Sequence, residues 1–268
     1  MAFKRYNPHR SQDWNYGGRK WRLSRSKIEL FTECPRCFYL DNRFGTARPK
    51  YPEFTLNKAV DQLLKREFDT HRAAGTPHPL MTTYGIDAVP FAHAQMDTWR
   101  ENFEGMEHKH PETGFTVSGA LDDVWAAPSG ELIVVDYKAT SKPGEIKTLD
   151  DSSWSAQYAR QMGVYQWLLR KNGFTVSGTG YFVYANGDVD REAFDGRLEF
   201  KVTVVPCTGD TGWIDEILPR IKETLESDEI PPPGESCDYC AYREAAGKTL
   251  LSMHRAQPAK DTDKEKGA

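Results

Sequence analysis

The chain has 268 residues, with 39 acidic and 35 basic side chains and a formal net charge of −4. This balance argues against a uniformly basic surface of the kind that binds nucleic acid without selectivity. No apolar run is long enough to span a membrane, and the first residues lack the apolar core of a signal peptide, so we expect a cytoplasmic protein without a membrane partner.

Residues 1–20 are interpreted as a basic and aromatic arm. Over residues 1–27, eight basic side chains accompany one acidic side chain, Asp13, and aromatic residues are interleaved with them. Basic groups contact phosphates and aromatic rings stack on bases, so such an arm suits nucleic-acid binding. A disordered solubilising arm is the alternative, and the sequence favours neither.

Four of the five cysteines form two C-x-x-C pairs, Cys34 with Cys37 and Cys237 with Cys240. In an intracellular protein, such pairs bind a metal more often than they form a disulfide. A capping-box pattern at residues 26–29 predicts a helix that ends close to the first pair. The two pairs can share one site only if the fold returns the C-terminal part of the chain to this helix, and their spacing alone favours zinc.

Residues 56–72 are predicted to form a helix, because apolar side chains recur along one stripe at Leu56, Val60, Leu63, Leu64 and Phe68. Asp61 lies on this helix, and its interpretation from the helix pattern alone is an aspartate on the helix surface. Residues 73–90 are predicted to be a loop because glycine and proline recur there, and residues 91–104 are predicted to be a second helix.

A β-hairpin is predicted where residues 117–125 and 132–138, rich in β-branched and aromatic side chains, flank a turn at residues 128–130. The turn has the sequence Pro-Ser-Gly, whose proline suits its first corner and whose glycine suits a left-handed closing position. With this turn, residues that face each other have numbers that sum to 258, so Asp122 faces Asp136.

Side chains alternate along a strand, so Asp122, Asp136 and Lys138 are expected on one face and Asp123 and Tyr137 on the other. Two opposed carboxylates beside an apolar strand repel each other, and a divalent cation such as Mg²⁺ would remove the repulsion. The neighbouring amine would hold a phosphate or help to activate water, as metal-assisted hydrolysis of a phosphodiester requires. Solvated strand residues with an Asp136–Lys138 salt bridge are the alternative.

Residues 154–171 are predicted to form a helix on which Gln161 and Tyr165 lie one turn apart on the same face. Core packing of the tyrosine and a solvent-facing glutamine are the alternative to a functional pair. Two strands and a helix are predicted to follow, at residues 180–184, 198–205 and 212–227. Residues 246–268 are interpreted as a charged tail, predicted to be disordered.

Three stretches, in this order along the chain, resemble the motifs of the PD-(D/E)XK nucleases: GALD at residues 119–122, VVDYK at residues 134–138 and QMGVY at residues 161–165. The similarity is greatest to the RecB-like branch, which includes the CRISPR-associated exonucleases, and it extends over about residues 21–245. It implies an α/β fold of the restriction-endonuclease type, a central mixed β-sheet flanked by helices, with a cysteine metal site that joins the termini.

The resemblance also implies roles for individual residues. Asp122 and Asp136 would ligate Mg²⁺ or Mn²⁺, with the Tyr137 carbonyl as a further ligand. Lys138 would orient or deprotonate the attacking water and stabilise the developing charge. Gln161 and Tyr165 would help to place DNA beside the metal site.

At two positions the chain departs from the pattern of the branch. The branch carries a histidine on the helix where Asp61 stands, so Asp61 would be a ligand of a different type. Its cysteine site is a 4Fe-4S cluster held by one early and three late cysteines, whereas this chain has two and two. The resemblance therefore implies a 4Fe-4S cluster, and the spacing of the cysteines implies structural Zn²⁺.

We therefore predict a metal-dependent DNA nuclease, expected to be an exonuclease that acts on single-stranded DNA or DNA ends. By resemblance, it would work in repair, recombination or CRISPR adaptation, beside recombination, helicase or CRISPR adaptation proteins. Two alternatives stay open: a non-cleaving DNA-binding module on the same scaffold, and a redox or structural iron-sulfur protein.

Overall fold

The structure is a computed structural model that describes residues 10–49, 54–149 and 153–256. The helices are α1 (Arg25–Glu33), α2 (Pro35–Phe44), α3 (Thr55–Ala74), α4 (Pro79–Thr83), α5 (Met96–Arg100), α6 (Ser153–Lys171), α7 (Gly212–Glu226) and α8 (Asp238–Ala256). The strands are β1 (Leu23–Ser24), β2 (Val89–Pro90), β3 (Met106–Lys109), β4 (Thr116–Gly119), β5 (Asp123–Ala126), β6 (Leu132–Thr140), β7 (Thr179–Gly187) and β8 (Phe200–Thr208). None of the helices within these ranges is long and apolar enough to cross a membrane.

The strands form two sheets with helices packed against them, which confirms the predicted α/β class. The larger sheet has the order β2-β5-β6-β7-β8, and the smaller has the order β1-β4-β3. Strand β6 lies at the centre of the larger sheet, antiparallel to β5 and parallel to β7. The first six residues of β6 are buried, so this strand holds its side chains in fixed positions between two layers.

The two faces of the larger sheet carry two separate apolar clusters, because alternate residues of β6 point in opposite directions. Val134 belongs to the larger cluster, which includes Leu168 of α6 and Leu218 of α7. Val135 belongs to the smaller cluster, which includes Phe68 of α3. Helix α3 therefore covers one face of the sheet, and α6 and α7 cover the other.

The hairpin of β5 and β6 has the predicted register. Asp123 pairs with Val135, and their numbers sum to 258. Gly130 has a φ of +83°, in the left-handed region, and its N–H donates to the Ala127 carbonyl at 2.9 Å. A short turn of local origin thus sets which residues of the two strands face each other.

The first strand of the predicted hairpin is interrupted. Residues 117–125 were expected to form one strand, but β4 ends at Gly119 in the smaller sheet and β5 begins at Asp123 in the larger one. A Cβ atom on Gly119 would lie 2.9 Å from the side chains of Tyr165 and Leu168, so α6 packs directly onto the chain at this point. Asp122 consequently lies at the junction of the two sheets.

Helix α1 begins without the predicted capping box at residues 26–29. It starts at Arg25, after Ser24, whose side chain makes no capping hydrogen bond. Glu29 is buried and accepts from Arg160 of α6 at 2.6 and 3.0 Å. This ion pair between two helices outweighs the local interaction that the sequence pattern suggested.

Several boundaries also differ from the predictions. Helix α3 forms as expected, but Leu56 and Leu63 of its apolar stripe are exposed, and Leu64 and Phe68 carry its buried face. The predicted loop at residues 73–90 contains α4 and β2, and the predicted helix at residues 91–104 is reduced to α5.

The structure differs at the predicted arm and tail as well. Residues 1–9 of the arm lie outside the described residues, but Arg10 makes an ion pair with Asp41 of α2 at 2.7 Å, so the arm is attached at that point. Helix α8 continues to residue 256, so residues 246–256 are helical and do not belong to a disordered tail. Residues 257–268 lie outside the described residues.

Candidate functional site

A cleft of about 300 Å³ opens where the C-terminal half of β6 meets α3 and α6. Its walls include Asp61 from α3, Tyr137 and Lys138 from β6, and Tyr158 from α6. Most of the residues that the sequence singled out therefore lie in or beside one cavity. The hairpin and the central position of β6 bring them there.

Asp136 lies next to the cleft residues Tyr137 and Lys138 on β6, and only 1% of its surface is exposed. Gln161 Nε2 donates to Asp136 Oδ1 at 2.7 Å. The Lys138 ammonium lies 2.5 Å from Asp136 Oδ2, but that buried oxygen accepts no hydrogen bond of good geometry from the described residues. Burial raises the pKa of Asp136 to about 6, because a charged carboxylate is costly in an apolar layer.

Asp122 approaches Asp136 from the junction of the two sheets. The backbone N–H of Tyr137 donates to Asp122 Oδ2 at 3.1 Å. The negative charge of Asp122 also contributes to the raised pKa of Asp136. The structure thus brings the two predicted carboxylates into one electrostatically coupled pair, on the β6 face that carries Lys138.

Lys65 is a second ammonium at this site that sequence reasoning missed. Its Nζ lies 3.0 Å from Asp122 Oδ1 and 3.0 Å from Asp61 Oδ2. Burial alone would lower the pKa of Lys65, but the two carboxylates outweigh burial and raise it, so the group is a cation. The sequence shows a lysine one turn after Asp61. Its contact with Asp122 depends on how α3 packs over β6, which the sequence does not show.

Asp61 does not join the two other acids directly. Lys65 stands between Asp61 and Asp122, and within the described ranges the four paired cysteines are the only set of three or more acidic, histidine or cysteine ligand atoms within 4.8 Å of one another. Burial and the charge of Asp122 raise the pKa of Asp61. Asp61 as a third ligand therefore stays a proposal that requires Lys65 to move.

The residues present fit a divalent cation. Asp122 and Asp136 offer hard carboxylate oxygens, which Mg²⁺ and Mn²⁺ prefer, and the Tyr137 carbonyl lies next in the chain. Asp136 Oδ2 lies 2.5 Å from the Lys138 ammonium and accepts no hydrogen bond of good geometry from the described residues. The donor set agrees with such an ion, which would share this oxygen with Lys138.

Lys138 is held in place by groups on several sides. Its ammonium lies 4.4 Å from the centroid of the Tyr158 ring and donates to Gln161 Oε1 at 3.3 Å. Burial would lower the pKa of Lys138, but Asp136 and Asp122 outweigh this effect and raise it. Lys138 is therefore protonated in this state and acts as a fixed positive charge and hydrogen-bond donor.

Gln161 links three of the predicted site residues. Besides its bonds to Asp136 and Lys138, its amide donates to the Tyr165 hydroxyl at 3.2 Å. Gln161 and Tyr165 are both buried. Gln161 contacts Asp136 and Lys138 directly, and Tyr165 contacts Gln161. The two residues would therefore affect the placement of DNA through Asp136 and Lys138.

A buried ion network lies behind the site and was not anticipated from the sequence. Asp123 is fully buried and accepts from the Tyr137 hydroxyl at 2.6 Å and from the guanidinium groups of Arg72 and Arg100. Arg100 also donates to the backbone carbonyl of Asp122 at 3.0 Å. This network fixes the backbone that carries Asp122.

The second predicted site, formed by the two cysteine pairs, is assembled as well. Cys34 and Cys37 flank the start of α2, and Cys237 and Cys240 flank the start of α8. All four are buried, and none forms a disulfide. Their sulfur atoms lie within 4.8 Å of one another, so they form one group that could hold a metal. The N-terminal helices and the last helix meet at this group.

Comparisons with known proteins give one clear result. A family model for the PD-(D/E)XK nuclease superfamily matches residues 47–245. A search of curated proteins gives no significant match. The solved crystal structure of SSO0001 is similar at a TM-score of 0.29 and 17% identity, over 52% of this chain and 54% of that chain. The chain thus spans about half the length of that protein, and a likeness this low has no bearing on fold or activity.

Proposed function

The chain belongs to the PD-(D/E)XK nuclease superfamily, a group of phosphodiesterases that use divalent metals, and from this we propose that it is a Mg²⁺- or Mn²⁺-dependent DNA nuclease. One observation carries the proposal: a buried acid, Asp136, is held by Gln161 on one oxygen and faces Lys138 with the other. Burial and the charge of Asp122 raise the pKa of Asp136, and a bound divalent cation would offset both effects.

Each residue of the cleft then has a role in hydrolysis. Asp122, Asp136 and the Tyr137 carbonyl would hold the ion, which when bound polarises a phosphodiester and makes a bound water more acidic. Lys138 would orient or deprotonate the attacking water and stabilise the negative charge that develops on the phosphate. Gln161 fixes Asp136 and Lys138 relative to each other, because its amide nitrogen donates to Asp136 and its amide oxygen accepts from Lys138.

The proposed substrate is single-stranded DNA or a DNA end, and the proposed action is exonucleolytic. A cleft of about 300 Å³ is at the small end of ligand pockets, which suits a nucleotide at a strand end better than a paired duplex. The proposed setting is DNA repair, recombination or CRISPR adaptation, with recombination, helicase or CRISPR adaptation proteins as partners. These finer proposals follow from the resemblance to the RecB-like branch.

A non-cleaving DNA-binding module is the second candidate, and Lys65 favours it. Its ammonium already neutralises Asp122 and Asp61 at 3.0 Å each, so the acids are partly balanced without a metal. A scaffold that keeps the cleft for binding alone would need such a fixed cation. Cleavage by the purified protein distinguishes the two candidates.

The test is digestion of end-labelled single-stranded, double-stranded and circular DNA with Mg²⁺, Mn²⁺ or EDTA. We expect cleavage of linear single strands with either metal, none with EDTA, and a loss of about 100-fold or more in Asp136→Asn and Lys138→Met. Asp87→Asn and Lys109→Met change exposed residues away from the cleft and serve as matched controls. Equal cleavage by all four variants would refute the site, and binding without cleavage by the wild type would favour the module.

A further inference from the structure

The separations of the four cysteine sulfurs are short and similar. Cys34 Sγ lies 3.7 Å from Cys240 Sγ, and Cys37 Sγ lies 3.6 Å from the sulfurs of both Cys237 and Cys240. All four sulfur atoms lie within 4.8 Å of one another, so they form a compact group. The distances between the sulfur atoms limit the size of the metal ion or cluster that the four cysteines can bind.

A single zinc ion fits this spacing. Zinc binds four thiolates tetrahedrally at about 2.3 Å, which places any two sulfurs about 3.8 Å apart. In a 4Fe-4S cluster, each thiolate binds a different iron at the outside of a core of eight atoms. Four such thiolates must stand further apart than four that share one ion, so the space between these sulfurs is too small for the cluster that the family resemblance implies.

We propose that the cysteine site binds one tetrahedral metal ion, zinc, and no iron-sulfur cluster. The two C-x-x-C pairs, one from each end of the domain, then supply two ligands each. This differs from the arrangement of one early and three late cysteines in the RecB-like branch. The change in ligand distribution along the chain accompanies a change in the bound metal.

Backbone N–H groups support the thiolates of such an ion. The N–H of Gly234 lies 3.2 Å from Cys34 Sγ, and the N–H of Cys37 lies 3.5 Å from the same sulfur. A Cβ atom on residue 234 would lie 2.0 Å from the Glu33 carbonyl oxygen, so only glycine allows this approach. Hydrogen bonds of this type stabilise a metal thiolate and fix its orientation.

Arg48 is one of two arginines beside the site, and the other, Arg243, lies 3.8 Å from Cys240 Sγ. Arg48 Nη2 donates to Cys237 Sγ at 3.2 Å, its Nη1 donates to Glu33 at 2.7 Å, and its guanidinium lies 4.6 Å from the Tyr239 ring centroid. Zinc with four thiolates carries a net charge of −2, so a fixed guanidinium beside the sulfur offsets part of that charge. The contacts to Glu33 and Tyr239 keep Arg48 there.

Metal analysis of the full chain, purified without oxygen and then offered zinc, or iron with sulfide, tests the proposal. We expect one zinc per chain, no acid-labile sulfide and a colourless protein, and we expect Co²⁺ in place of zinc to show the strong visible bands of tetrahedral thiolate coordination. Four irons with four sulfides per chain, or no binding of zinc or Co²⁺, would overturn it. Neither result depends on nuclease activity.

Variants sharpen the test. Cys240→Ser should weaken zinc binding at least 100-fold in competition with a chromophoric chelator, whereas Cys207→Ser, a change at a buried cysteine outside the site, should leave it unchanged. Arg48→Met should weaken binding about 10-fold and Arg48→Lys less, as expected for a residue that acts through a ligand. If Cys240→Ser does not fold, the wild-type stoichiometry decides. Equal affinity in Arg48→Met would remove Arg48 from the site.

Discussion

The carboxylate site and the cysteine site of this protein balance their charges in opposite ways. In the cleft, Lys65 and Lys138 lie beside Asp122 and Asp136, so side chains of the protein supply the positive charge. At the cysteine site, four ligands converge and two guanidinium groups, of Arg48 and Arg243, lie within hydrogen-bond distance of a sulfur, so four thiolates there would still need the charge of the proposed zinc ion. On the proposals above, the first site would exchange ions and substrate, and the second would be a permanent part of the fold.

Loss of the cysteine-bound metal should have the largest effect. Structural zinc contributes free energy of folding on the order of 10 kcal/mol, so Cys240→Ser or a strong chelator should lower the melting temperature steeply. Nuclease activity should fall only in proportion to the unfolded fraction, and zinc should restore the chelated wild type. Thermal unfolding with and without chelator measures this effect. An unchanged melting temperature would contradict a structural role.

Lys138→Met should have the next largest effect. It should change DNA cleavage at the carboxylate site and leave the cysteine site unaffected. The rate of DNA cleavage should fall about 100-fold to 1000-fold, because the fixed charge that faces the phosphate is lost. The metal content of the cysteine site should not change. Single-turnover cleavage measures the rate, with Lys109→Met as control. A fall in rate that follows the melting temperature would show that the two sites are not separable.

Lys65→Met should have a smaller effect, on the Mn²⁺ requirement of the carboxylate site. If Lys65 competes with a cation for Asp122, its removal should lower the Mn²⁺ concentration for half-maximal cleavage about fivefold, in keeping with an ion pair worth about 1 kcal/mol. A titration of activity against Mn²⁺ measures this change. An unaltered Mn²⁺ requirement would mean that the lysine leaves Asp122 at no cost when the ion binds.

Tyr165→Phe should have the smallest effect. It removes the hydroxyl that accepts from Gln161 at 3.2 Å and leaves the buried ring in place. One hydrogen bond contributes about 1 kcal/mol to stability, so we expect the free energy of unfolding to fall by about that amount. Because the hydroxyl acts on Asp136 and Lys138 only through Gln161, we expect cleavage to slow only about twofold. Steady-state rates on a labelled oligonucleotide test this. A loss as large as that of Lys138→Met would mean that the hydroxyl itself meets the substrate.

The features that could be predicted from the sequence are the ones set by residues close together in it. The register of β5 and β6 follows from the Pro-Ser-Gly turn between them, so the pairing of Asp123 with Val135 was predictable. Helix α6 was predictable from its periodicity. The meeting of the two cysteine pairs was the exception, because metal ligands restrict the fold over long separations.

The features that could not be predicted depend on how distant elements pack. The pair of Glu29 with Arg160 joins residues 131 positions apart, and it replaced the local capping box. Lys65 reaches Asp122 only because α3 lies over β6. The break after Gly119 follows from the close approach of α6, and the sulfur separations follow from the placement of α8 against α2. The spacing of residues along the chain does not determine any of these distances.

The connection of the two cysteine pairs has a consequence during synthesis. Cys237 is made 200 residues after Cys37, so at about 5–20 residues per second the ribosome needs on the order of 10 to 40 seconds to supply the second pair. For about the second half of that interval the central strand and its acids have been made, whereas the second cysteine pair has not. A product truncated before the second pair would therefore lack two of the four proposed metal ligands, and we expect it to be unstable.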